Sequence, residues 1–137
     1  MLKIGIDPGV NTGIAVWDAK QKMFLAINTY KHKLHSALYY IDNLRLYSQI
    51  EIVCENPNTF IPFNAKASHA RRQGAGSVKR DFSFWQDYAE DMGIKFTATR
   101  LQGSLKKLSK ETFVKYTGWK SKVDEHGIDA AMLVFNS

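Results

Sequence analysis

The sequence has one cysteine, no surplus of acid and no long apolar run. A lone Cys54 excludes an intrachain disulfide and a cysteine-rich zinc site. The opening residues Met-Leu-Lys-Ile-Gly-Ile-Asp lack the extended apolar core of a signal peptide. No stretch approaches the roughly 18 apolar residues that a membrane-crossing helix needs. These absences predict a soluble, intracellular protein. Repeats, low-complexity tracts and linkers are also missing, and 137 residues favour one domain over 1–137.

The composition supports a packed core, with 45% hydrophobic and 23% charged residues. Nineteen lysines and arginines against thirteen acids leave a net charge of +6. That sign favours a polyanionic partner, nucleic acid first and an acidic membrane surface second.

Along the chain, residues 2–7 alternate like a strand and end on Asp7. A turn-rich segment, Asp7-Pro8-Gly9-Val10-Asn11-Thr12-Gly13, follows. Residues 14–17 and 22–27 read as two further strands of a meander. Leu34, Leu38, Ile41 and Leu44 recur at helical spacing and predict a helix over 33–47. Residues 50–55 form a compact apolar strand that again ends on an acid, Glu55. Pro57 and Pro62 break regular structure after it. Val78, Phe82, Trp85, Ala89 and Met92 make a second helical stripe, with Trp85 and Met92 expected in the core and Gly93 as a stop signal. A fifth strand is expected over 94–98, a short helix over 112–116 ending at Gly118, and a last helix with Ile128, Ala131, Met132 and Phe135 on its apolar face. The order predicts an α/β protein with a five-stranded mixed sheet flanked by helices.

Three acids then stand where a site can be assembled. Sites in such sheets gather at the carboxyl ends of adjacent parallel strands, so Asp7 and Glu55 converge if their strands are neighbours. Asp129 falls beside the apolar stripe of the last helix, three residues after His126 and four after Glu125, on a shared flank. Each acid alone is more simply read as a solvated strand end or helix surface. Together, clustered carboxylates repel one another unless a cation intervenes, and hard oxygen donors suit Mg²⁺ or Mn²⁺.

Gly5-Ile6-Asp7-Pro8-Gly9 with Gly13 resembles the opening motif of RuvC-like Holliday junction resolvases, nucleases of the RNase H-like superfamily. Val53-Cys54-Glu55 resembles their second acidic motif, and His126-Gly127-Ile128-Asp129-Ala130-Ala131 their closing helix. The resemblance runs through most of the chain in the right order. It implies an RNase H-like fold, Asp7, Glu55 and Asp129 as metal ligands, and His126 as a fourth ligand or proton-handling group. Asp124 and Glu125 are close enough to compete for that fourth position; the simpler reading has Asp124 capping the helix and Glu125 solvated or just outside the ligand set. The resemblance also implies two ions bridged by Asp7, water attack on a phosphodiester, a homodimer that nicks a four-way DNA junction symmetrically, and a cytoplasmic protein of a bacterium or one of its viruses.

Basic and aromatic residues supply the expected DNA surface. The segment 66–80 carries Lys66, Arg71, Arg72, Lys79 and Arg80 with no acid, and reads as a loop leading into a helix start. Lys106, Lys107 and Lys110, with Arg100, form a second basic set. Lys110 resembles the lysine that the family places near the scissile phosphate, where it would offset developing charge. Phe60 and Phe63 follow Glu55, where the family stacks an aromatic on a base; such stacking contributes roughly 1–3 kcal/mol per base. The plainer reading packs these rings on the protein.

Other functions share parts of this pattern. A YqgF-like RNA-processing nuclease and an actin-like ATPase open in the same way, although the ATPase fold needs a second domain and a second phosphate loop. A branched-DNA-binding module without catalysis is the remaining alternative.

Overall fold

The computed structural model describes residues 1–57, 69–101, 105 and 107–137, with backbone alone over 69–75. The strands are β1 (Leu2–Asp7), β2 (Asn11–Asp18), β3 (Met23–Lys31), β4 (Ile50–Glu55) and β5 (Lys95–Thr99). The helices described are α1 (Leu34–Tyr47), α2 (His69–Met92), α3 (Lys110–Thr117) and α4 (Glu125–Met132). The sheet runs β3-β2-β1-β4-β5. Strands β1, β2 and β3 form the antiparallel meander, while β4 is parallel to both β1 and β5. This is the five-stranded mixed α/β sheet that the sequence predicts.

Strand periodicity fixes which side chains meet which helices. Successive residues of a strand face opposite sides of the sheet. In β1 and β4, Leu2, Ile4, Ile6, Ile50, Ile52 and Cys54 join a core with Ala37 and Ile41 of α1 and Trp85 and Ala89 of α2. Cys54 is therefore inside, as its alternation with Glu55 requires. The residues between them, Gly5 and Val53, face the other side. There Ala15, Trp17, Phe24 and Phe113 pack with Ile128, Ala130, Ala131 and Val134 of α4 and its C-terminal continuation. Asp7 and Glu55 continue this second set by one step. Both terminal carboxylates consequently leave the sheet on the face that α4 covers.

Helix α4 lies directly on the strands because nothing stands between them. A Cβ on Gly5 would sit 2.0 Å from the carbonyl oxygen of Ala130, and one on Gly13 would sit 2.1 Å from that of His126. Only glycine permits that approach. The start of α4 is fixed by Asp124, whose Oδ1 accepts the Gly127 N–H at 3.0 Å and the Thr29 hydroxyl of β3. The cap predicted for Asp124 is present, with an additional tie to the sheet. Helix α3 starts on a Ser109 cap and ends at Gly118, whose φ of 72° is a left-handed conformation that glycine adopts without strain.

Two sequence expectations are corrected here. The segment predicted as a loop before residue 78 is helical from His69 onward. The apolar stripe marks only where α2 meets the core, and a helix once nucleated extends at little cost through polar residues. Met92, expected in the core, is 45% exposed at the C-terminal end of α2, while Trp85 on the same stripe is fully buried. No described helix is long and apolar enough to cross a membrane.

Candidate metal centre

Asp7 and Glu55 end adjacent parallel strands, with Ile6 opposite Cys54 in the register just below them. Asp129 reaches the same point from α4. One oxygen from each of the three carboxylates lies within 4.8 Å of the others. They floor a cleft of about 500 Å³ whose walls include His126, Lys107 and Val78. Val78 brings α2 over the β1–β2 turn, where a Cβ on Gly9 would lie 3.6 Å from its Cγ2.

The electrostatics are those of a cation site. Burial first, and the Asp7 charge second, push the Asp129 carboxyl up to about 6. The Lys107 backbone N–H and the nearby His126 pull the other way. Among the described residues, Asp129 Oδ1 is buried and has no hydrogen-bond partner. A buried carboxylate oxygen without a donor is costly unless something positive meets it. Converging oxygens, an orphaned Asp129 Oδ1 and open cleft volume fit a hard divalent ion such as Mg²⁺ or Mn²⁺.

His126 takes a particular place beside these acids. Its Nδ1 is 3.1 Å from Asp7 Oδ2. The bond to Asp7 raises the imidazole above its ordinary value; burial opposes this, and the charges of Asp7, Asp124 and Glu125 reinforce it. Its Nε2 lies 3.6 Å from Oε1 of Glu125, which is itself largely exposed. With Nδ1 engaged by Asp7, His126 is arranged to orient that carboxylate or to hold a proton beside it.

The basic residues distribute differently from the sequence expectation. Lys107 lines the cleft, and its backbone, in the left-handed region at φ 54°, turns its N–H toward Asp129. Lys110 does not line the cleft; it stands at the start of α3 in a neighbouring groove with Asp124 and Gly127. Family-motif spacing cannot separate two lysines three residues apart, because which of them faces the acids depends on a turn that the motif does not encode. Lys79 and Arg80 are exposed on α2. Arg71 and Arg72 belong to the first turns of α2, and their side chains lie outside the described residues, as do Lys66, Lys106, Phe60 and Phe63 altogether. Sequence reasoning missed Asn11, which shares the cleft wall and has a buried Oδ1 without a hydrogen-bond partner among the described residues. Its place two residues before Gly13 was the available signal.

No protein-family model and no curated protein matches the sequence. Among solved structures the chain is similar to RuvC of T. thermophilus in complex with a Holliday junction substrate. The TM-score is 0.69 at 18% identity, over 99% of this chain and 91% of that one. At that identity the likeness shows the fold, so the chain has the RNase H-like fold of RuvC.

Proposed function

We propose that this chain is a metal-dependent endonuclease that resolves four-way DNA junctions by paired nicks. The observation that carries the reading is the convergence of Asp7, Glu55 and Asp129 within 4.8 Å in a cleft open to a phosphodiester. The RuvC-like fold and the basic charge support DNA as the substrate.

Asp7, Glu55 and Asp129 would hold the metal, Mg²⁺ or Mn²⁺. Bound there, such ions supply an activated water and stabilise the leaving oxygen of a phosphodiester. The chain's own residues do the rest. Asp129, projecting from α4, keeps its buried Oδ1 without a hydrogen-bond partner among the described residues until a ligand arrives. His126 fixes the Asp7 carboxylate through Nδ1 and holds a proton at the cleft edge. Lys107 adds positive charge at the rim, where the substrate phosphate would enter. Phe60 and Phe63 are proposed to stack on bases near the crossover. Lys66, Arg71, Arg72, Lys79, Arg80 and Lys106 are proposed to contact phosphates, and Lys110 to act on the strand beside the cleft.

The test is cleavage of a labelled synthetic four-way junction with Mg²⁺, beside matched linear duplex and RNA–DNA hybrid. Paired nicks near the crossover, absent in EDTA and in Asp7→Asn, are the expected result. Cleavage of RNA or hybrid in preference would move the function to RNA processing on the same fold. Tight junction binding without any cleavage would leave a binding module.

A further inference from the structure

The first turn of α4 separates two cavities of opposite character. On one side is the carboxylate cleft. On the other is a groove of about 430 Å³ lined by Lys31, Lys110 and Lys122, together with Thr29, Asp124 and Gly127. The three lysines come from three different places: the end of β3, the start of α3 and the segment leading into α4. All three are exposed, and none pairs with an acid within 4.0 Å among the described residues.

Like charges brought together without partners oppose folding unless an anion offsets them. The groove contains one carboxylate, Asp124, and that group is already engaged by the Thr29 hydroxyl and the Gly127 N–H. Three lysines therefore face one committed acid, and the groove presents a surplus of positive charge. It lies beside the cleft, on the other side of the first turn of α4. The stretch from Lys107 to Lys110 begins in the cleft and ends in the groove, and the helix between them is about 10 Å across.

We infer that the groove formed by Lys31, Lys110 and Lys122 binds backbone phosphates of the DNA strand that passes through the carboxylate cleft. This rests on the nuclease reading above and adds a track for that strand. Lys31 and Lys122 would neutralise phosphates beyond the scissile one and set the direction in which the strand leaves. Lysine contacts of this kind act as point charges and carry no sequence preference, so the groove serves affinity and register.

The experiment measures binding of a labelled four-way junction over a range of salt concentrations, in an Asp7→Asn background to prevent cutting. Lys31→Ala with Lys122→Ala, leaving Lys110 in place, should reduce the slope of log K against log salt by about 2, roughly one for each lysine. Affinity at low salt should fall roughly tenfold or more. Lys31→Arg with Lys122→Arg should restore both, which separates charge from folding. The matched control is Lys20→Ala with Lys22→Ala, at the β2–β3 turn near the far end of the sheet; it should leave the slope unchanged. A groove variant with the slope and affinity of that control overturns the inference while the cleavage result stands. A chain that binds junctions but cuts nothing sinks the nuclease reading alone. One that binds no DNA overturns both.

Discussion

Asp129 carries an oxygen that the folded chain buries and does not satisfy, and its ionisation is correspondingly resisted. In metal-free protein the folded state keeps this proton to a pH of about 6, whereas the unfolded chain releases it near 3.8. The folded state is thus favoured by this group below about pH 4, and that advantage declines as pH rises through 6. Asp129→Asn removes the penalty. In EDTA at pH 7.5 the variant should be more stable than the parent in urea, by no more than about 2 kcal/mol once solvent screening is allowed for. Near pH 4 the two should coincide. Adding Mg²⁺ should reverse the order, because only the parent gains binding energy, about 2.7 kcal/mol at a hundredfold excess over Kd. A variant less stable than the parent in EDTA at pH 7.5 would mean that the carboxylate makes a stabilising contact instead. His126 changes stability with pH in the same direction, over a higher window. Its bond to Asp7 raises its folded value, so the stability it adds is full below about 6.5 and is lost as pH climbs through the raised value. The three acids were legible because each ends a strand or flanks a helix stripe. Their mutual spacing was not, since it depends on how closely α4 approaches the sheet.

That approach is a property of elements, and it rests on Gly5 and Gly13. The sequence motif presents both as turn or signature residues, yet in the fold they are flat places on β1 and β2 under the α4 backbone. Gly13→Ala would put a methyl group 2.1 Å from the His126 carbonyl oxygen, which is backbone and cannot swing away. The helix must lift, at a cost of about 3 kcal/mol in overpacking, and His126 and Asp129 move with it. Loss of metal binding together with a lowered urea midpoint is the expected result. Gly76 is the counter-example. It sits inside α2 with nothing within 4 Å of its missing Cβ. Gly76→Ala should stabilise the protein by about 0.5–1 kcal/mol through helix propensity alone. No gain in a urea titration would argue against helix at that position. The two glycines of the 66–80 segment and the absence of any large apolar residue before Val78 are also why its helical part escaped the sequence reading. Periodicity reports contact with a core, and the first turns of α2 have no apolar stripe to report. By contrast, β1, β4 and α1 were bounded within a residue because their burial pattern is complete.

At the scale of the whole molecule, one chain holds one carboxylate cleft among its described residues, whereas resolution of a junction needs two strands cut at matching positions. The proposed homodimer follows from that requirement. Its consequences can be separated from those of the metal site by mixing subunits. With equal wild-type and Asp7→Asn chains, random pairing gives about half the dimers one competent cleft. Such dimers should nick one strand of a labelled junction, and singly nicked products should accumulate at the expense of paired ones. Sedimentation should give twice the chain mass at the concentrations used. A monomer that still makes single nicks would retain the chemistry and remove the coupling. The charge of the whole chain adds a second constraint. If the start of α2 overhangs the bound strand, Arg71→Ala with Arg72→Ala should lower the salt slope by about 2 without altering the ratio of single to paired nicks. Subunit mixing should do the reverse and change the ratio at constant slope. Salt dependence reports phosphates neutralised, and the nick ratio reports clefts engaged. A double arginine variant that changed the ratio would place α2 in the coupling between subunits as well as on the DNA.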